Sequence, residues 1–114
     1  MPKLVIICVD DELILLESIR DELRDAFGQD YLIEIAESGE MALELIHELL
    51  QEGYEIPIVI SDYIMPDMKG DELLRQIHER LPNTLKVMLT GQANVEAVSN
   101  AIKYAKLYLS LIHI

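Results

Sequence analysis

Three short stretches hold the residues best suited to chemistry: Asp10-Asp11-Glu12, Ser61-Asp62 and Thr90-Gly91. Each follows directly on an apolar run. Carboxylates gathered in one place repel, and either a raised pKa or a bound cation relieves them. A hard cation such as Mg2+ takes oxygen ligands, keeps several waters, and binds through one or two carboxylates plus a phosphate. An aspartate can also act as a nucleophile and form an aspartyl-phosphate. Phosphoryl transfer of that kind rests on positioning and charge stabilisation. It asks for one carboxylate to attack, others to hold the cation, and donors for the phosphoryl oxygens, a part that Thr90 and nearby backbone N–H groups can fill. Taken singly, each residue has a plainer use. Asp10 or Asp11 would cap a helix, Asp62 would open a turn ahead of Pro66, and Thr90 would end a strand.

The surrounding elements decide whether these residues meet. Residues 4–9 (Leu-Val-Ile-Ile-Cys-Val) form a continuous, β-branched run suited to a strand buried on both faces. From Asp11 to Phe27, Leu13, Leu16, Ile19, Leu23 and Phe27 recur at helical spacing, and Gly28 ends the pattern. Residues 31–36 alternate apolar with polar as a second strand. Ser38 offers an N-cap to a helix whose inner face is Met41, Ala42, Leu45, Ile46 and Leu49, stopping near Gly53. Residues 56–60 read as a third strand, with Pro57 tolerated near its start. Leu73, Leu74, Ile77 and Leu81 mark a third helix closed by Pro82, and residues 85–89 a fourth strand. Asn94 opens a fourth helix carrying Val98, Ala101, Ile102 and Ala105, and the apolar run 107–114 reads as a fifth strand.

Strand–helix alternation with short connections predicts an α/β fold, a parallel sheet with helices on both faces. In such sheets ligands bind outside the carboxyl ends of the strands. If the first, third and fourth strands are neighbours, three carboxylates and the Thr90 hydroxyl converge on one rim. No glycine-rich GxGxxG turn follows any strand, so nothing supports a dinucleotide site.

Composition narrows the function further. At 114 residues the chain fits one domain, and 51% hydrophobic content allows a full core. Nine basic against 21 acidic residues give a net charge of −12, which opposes direct contact with nucleic acid. The apolar runs are too short to span a bilayer. Met1-Pro2-Lys3 leads into the first strand without a cleavage-site pattern, so the expectation is a cytoplasmic protein without membrane contact. The single cysteine, Cys8, cannot form an internal disulfide and reads as a buried thiol. His47 and His78 fall on helices without partners at metal-ligand spacing.

The segment Ser61-Asp62-Tyr63-Ile64-Met65-Pro66-Asp67-Met68-Lys69-Gly70, with Asp10-Asp11 before it and Leu89-Thr90-Gly91 after it, resembles the receiver domain of two-component response regulators. The resemblance covers Lys3 to about Tyr108. It implies a doubly wound, flavodoxin-like sheet of five strands in the order 2-1-3-4-5 with five helices. It also implies that Asp62 is the phosphoacceptor and Thr90 the switch hydroxyl. Mg2+ would be held by Asp10, Asp11, Asp62 and the backbone carbonyl of Ile64. The implied donor is a phosphohistidine on a sensor histidine kinase or phosphotransfer protein, and the implied recipient an output domain or downstream protein. On this reading the chain is not an enzyme but a phosphoacceptor that assists its own phosphotransfer and dephosphorylation. Two other readings stand beside it. One is a receiver-like interaction module that works without phosphorylation. The other is an aspartate-nucleophile phosphatase of the haloacid dehalogenase-like type, which wants Asp-x-Asp where this chain has Asp10-Asp11-Glu12.

The chain departs from the family pattern at its end. The family carries an aromatic residue in strand five and a Lys-Pro pair three residues later; Ser110, His113 and Ile114 occupy those positions here. Histidine, with an ordinary pKa of about 6.5, is mostly neutral where the lysine would be charged. Residues 109–114 resemble the translation of a sequencing-library adapter. The expectation is therefore a receiver domain over 1–108, cut before its fifth helix, followed by a non-native tail over 109–114.

Overall fold

The computed structural model describes residues 3–62, 67–89, 100, 103, 107 and 108. Seven elements alternate along it: β1 (Lys3–Val9), α1 (Leu13–Phe27), β2 (Leu32–Ala36), α2 (Gly39–Gln51), β3 (Tyr54–Asp62), α3 (Gly70–Arg80) and β4 (Leu85–Leu89). The strands are parallel, in the order β2-β1-β3-β4. This is the doubly wound, flavodoxin-like arrangement expected from the alternation and the resemblance, as far as the described residues reach.

The sheet separates two cores. Side chains alternate across a strand, so Ile6 and Cys8 of β1 meet Leu16, Ile19, Leu23 and Phe27 of α1 on one face. Val5, Ile7 and Val9 meet Ala42, Ile46 and Leu49 of α2 and Leu73 and Ile77 of α3 on the other. Both helical sets recur at three- and four-residue spacing, which keeps them on one stripe. Each fully buried Ile or Leu contributes about 1.5–3 kcal/mol, so β1 is the strand both layers depend on.

Local chemistry sets the ends. Ser38 caps α2 as expected, its Oγ accepting the Met41 N–H at 3.1 Å. Gly53 turns the chain into β3 with φ of 87°, a conformation that glycine adopts without strain. Met41, placed on the inner face by the sequence pattern, is instead 49% exposed, while its neighbour Ala42 takes the core position.

Pro57 explains why β3 is longer than its apolar run. Leu4 pairs with Glu55 and Ile6 with Ile58, so Val5 faces both Ile56 and Pro57. That extra residue is a bulge, and it falls where proline has no N–H to give to the ladder. The Ile56 carbonyl accepts a hydrogen bond from the buried Thr84 hydroxyl, just ahead of β4. The strand thus continues through the proline from Tyr54 to Asp62.

The fifth strand read over 107–114 is not found at its start. Leu107 and Tyr108 are helical, as are Asn100 and Lys103. A short apolar run fits either period. Here Tyr108 packs against the α1-side core, and its hydroxyl donates to the Asn83 carbonyl at 3.0 Å. Residues 109–114, with Ser110 and His113, lie outside the described residues, as does the Asn94 cap. Among the described residues no helix is long and apolar enough to cross a membrane.

Candidate functional site

Strand register brings the acidic residues together. Val9 pairs with Ser61 across β1 and β3, so Asp10 and Asp62 each lie one step beyond a paired position. Asp62 in turn pairs with Leu89, the last residue of β4. Thr90 follows Leu89 in the chain, but Thr90 and Ile64 lie outside the described residues. Of the predicted site residues, the structure therefore assembles three: one oxygen each from Asp10, Asp11 and Asp62, all within 4.8 Å of one another.

The three carboxylates differ in exposure: Asp10 is buried, Asp62 half-buried and Asp11 exposed. Asp10 Oδ1 accepts the Glu12 backbone N–H at 2.9 Å, a turn that feeds α1. Glu12, not an aspartate, occupies the N-cap of α1 and makes no side-chain cap bond. Asp10 thus both makes the turn and belongs to the acidic cluster. Its Oδ2 is buried and has no hydrogen-bond partner among the described residues. Burial, then repulsion from Asp62 and Asp11, outweighs the Glu12 bond and lifts its pKa from 3.8 to about 6. Ser61, fully buried beneath the cluster, turns its hydroxyl to the Asp62 carbonyl at 3.0 Å.

Magnitudes indicate what such a cluster needs. Two unit charges no more than 4.8 Å apart repel by at least roughly 3–4 kcal/mol at an effective dielectric near 20. A buried carboxylate oxygen without a donor adds to that. Two oxygens each about 2.1 Å from one Mg2+ lie at most about 4.2 Å apart. Adjacent oxygens of such an octahedral ion lie only about 3 Å apart, so the three carboxylates would draw closer to share one. The donor set is all oxygen, as a hard divalent ion requires.

Sequence reasoning missed Asp67. It accepts the N–H groups of Gly39 and Glu40, at 3.1 Å on Oδ1 and 2.8 Å on Oδ2. Its only sequence signal is an acid between Pro66 and Met68, which reads equally well as a turn residue. His47 and His78 are exposed, and neither belongs to the acidic cluster.

A family model, the response regulator receiver domain, matches residues 6–109. The chain belongs to that family. Receiver domains are phosphoacceptor modules of two-component signalling, and that is this chain's class of function. It is a signalling domain rather than a turnover enzyme. Over 66 residues, 58% of the chain, it is 38% identical to the sensor kinase CckA of Brucella abortus, of whose length that is 7%. Over 77 residues it is 35% identical to a probable cyclic di-GMP phosphodiesterase of Vibrio cholerae, covering 65% of this chain and 16% of that one. The receiver domain thus spans a small part of the curated relatives it matches. Among solved structures, a CheY-like response regulator receiver domain protein from Methanospirillum hungatei superposes with a TM-score of 0.64 at 30% identity, over 92% of this chain and 75% of that one.

Proposed function

We propose that this receiver domain takes a phosphoryl group onto Asp62 from a phosphohistidine of a sensor histidine kinase or phosphotransfer protein. The observation that carries the reading is the convergence of Asp10, Asp11 and Asp62 within 4.8 Å at the carboxyl rim of the sheet. Exposure sorts their roles. Asp10 is 1% exposed, so a donor cannot reach it, and its partnerless Oδ2 suits a cation ligand. Asp62 is half-buried at the end of β3 and so is less enclosed than Asp10. Asp11 is exposed and completes the carboxylate set.

In the transfer, an Asp62 carboxylate oxygen attacks phosphorus and the phosphorus–nitrogen bond breaks. The electron pair stays on the imidazole nitrogen, and the product is an aspartyl-phosphate. Asp10, Asp11, Asp62 and the Ile64 carbonyl would hold Mg2+, which when bound offsets the charge on the carboxylates and phosphoryl oxygens. Thr90, next to the Asp62-paired Leu89, is the hydroxyl assigned to a phosphoryl oxygen. The added charge of about −1.5 to −2 is the signal that an output domain or downstream protein reads. A cytoplasmic setting fits a kinase-fed acceptor.

Incubation with Mg2+ and acetyl phosphate, or with a phosphorylated histidine kinase, followed by intact mass measurement, tests this. One phosphate-sized adduct is expected, absent in Asp62→Asn and absent when Mg2+ is chelated. An adduct that persists in Asp62→Asn sinks the assignment.

A further inference from the structure

The chain leaving Asp62 is tied down again at Asp67. Both carboxylate oxygens of Asp67 accept backbone N–H groups of the first turn of α2, from Gly39 and Glu40. Ser38 Oγ takes the third, from Met41. The opening N–H groups of a helix have no partner inside it. Here two of them are satisfied by a residue 28 and 27 positions away, although a local cap is already present. The contact has a second half. Met68 lies against Gly39 so closely that a Cβ there would run into the Met68 side chain. Gly39 is buried beneath it.

This clamp closes a circuit around the acidic cluster. The Asp10 backbone N–H donates to the Ala36 carbonyl at 3.2 Å. From Ala36 the chain passes through Glu37 and Ser38 into the α2 turn that holds Asp67, five residues beyond Asp62. Asp10 and Asp62, neighbours through the β1–β3 ladder, are thereby joined a second time outside the sheet. A carboxylate that only capped α2 would not need to come from the segment that begins at the phosphoacceptor.

We propose that Asp67 is a positioning residue: by clamping the first turn of α2, it fixes the far end of the segment that leaves Asp62 and sets the spacing at which Asp10, Asp11 and Asp62 hold a divalent cation. This rests on the reading of that cluster as a cation site. Asp67 itself does not touch the cation; it acts through the chain and through α2.

Coupling of this kind is reciprocal. If the clamp favours the cation-binding spacing, the cation must favour the clamp by the same factor. The test is Mg2+ titration of the full chain by calorimetry, paired with hydrogen exchange at the Gly39 and Glu40 amides. Asp67→Ala is expected to weaken Mg2+ binding about five- to tenfold. Saturating Mg2+ is expected to slow exchange of those two amides in the unaltered chain by a similar factor. Asp67→Asn, which keeps one acceptor oxygen, should recover part of the affinity. Gly39→Ala, which displaces Met68 and leaves Asp67 in place, should weaken binding in the same direction. Unchanged Mg2+ affinity in Asp67→Ala, with amide exchange indifferent to Mg2+, makes Asp67 a helix cap and overturns the proposal. Should Asp67→Ala fail to fold, the Mg2+ response of the Gly39 and Glu40 amides in the unaltered chain decides alone. Should the unaltered chain bind no Mg2+, the cation reading fails first, and the clamp loses its role with it.

Discussion

Asp10 works against the fold when it is charged. Its carboxyl is 1% exposed, one oxygen lacks a donor among the described residues, and burial holds its pKa near 6. A folded-state pKa above the unfolded value of 3.8 means the protonated form is favoured by folding. The resulting stability is present below about pH 4 and is lost as pH rises through about 6. At roughly 1.4 kcal/mol per pH unit, the window is worth about 3 kcal/mol. Asp10→Asn should therefore stabilise the metal-free chain by about 2–3 kcal/mol at pH 7 and by almost nothing at pH 4. Denaturant melts of both proteins at the two pH values, with chelator, check this. Equal stabilisation at both would assign the gain to packing. Asp67 has the opposite sign. Burial raises its pKa, but the N–H groups of Glu40, Gly39, Asp67 and Met68 outweigh that and hold it below the ordinary value. Its contribution is present at neutral pH and is lost in acid. The two acids thus titrate in separate windows, and acid loosens the clamp after it has relieved the cluster.

Cys8 offers an independent residue-scale check. Burial first, then the Asp10 charge, pushes its thiol up to about 12. The thiolate is the reactive form. Native Cys8 should resist alkylation at pH 8, and its modification rate should track global unfolding. Rapid labelling of the native chain, read by mass, would mean that β1 opens on its own.

At the scale of elements, most of what positions the site was legible. Strand β4 is found over Leu85–Leu89 as its apolar run predicted, and Ser38 caps α2 as its residue type predicted. Continuous β-branched runs and three- and four-residue spacing survive into the structure because burial imposes them on both faces of one sheet. Pro57 could not be read to the same depth. Whether a proline ends a strand or is absorbed depends on a bulge against Val5 and a hydroxyl from Thr84, 28 residues from Ile56. Leu107 and Tyr108 failed for a related reason, since a short apolar run carries no period of its own and its tertiary contacts chose helix. The Asp67 clamp is also long-range, and no local pattern announces it. The Pro57 bulge yields a sharp expectation. Thr84→Val keeps the shape of the side chain but leaves the Ile56 carbonyl without its donor. It should cost about 1–3 kcal/mol, against about 0.5–1 kcal/mol for Ser38→Ala at the helix cap. Urea melts that reverse this order would remove Thr84 from its role in the bulge.

For the whole molecule, two electrostatic effects must be told apart. A net charge of −12 makes the folded chain repel itself, and any salt that screens it will help. The acidic cluster adds a local demand that monovalent ions meet poorly, because three oxygens within 4.8 Å call for one compact divalent charge. Screening grows smoothly with ionic strength and does not depend on any one aspartate. Site binding saturates, and at a hundred times its dissociation constant a ligand contributes about 2.7 kcal/mol. Mg2+ should therefore raise the unfolding midpoint beyond NaCl of equal ionic strength, and chelation should return it. Asp62→Asn should keep the NaCl response and lose most of the Mg2+ excess, since it removes one carboxylate from the cluster but little of the overall charge. Equal midpoints in Mg2+ and matched NaCl would leave the cluster as surface charge and remove the physical basis for placing phosphoryl chemistry at this rim.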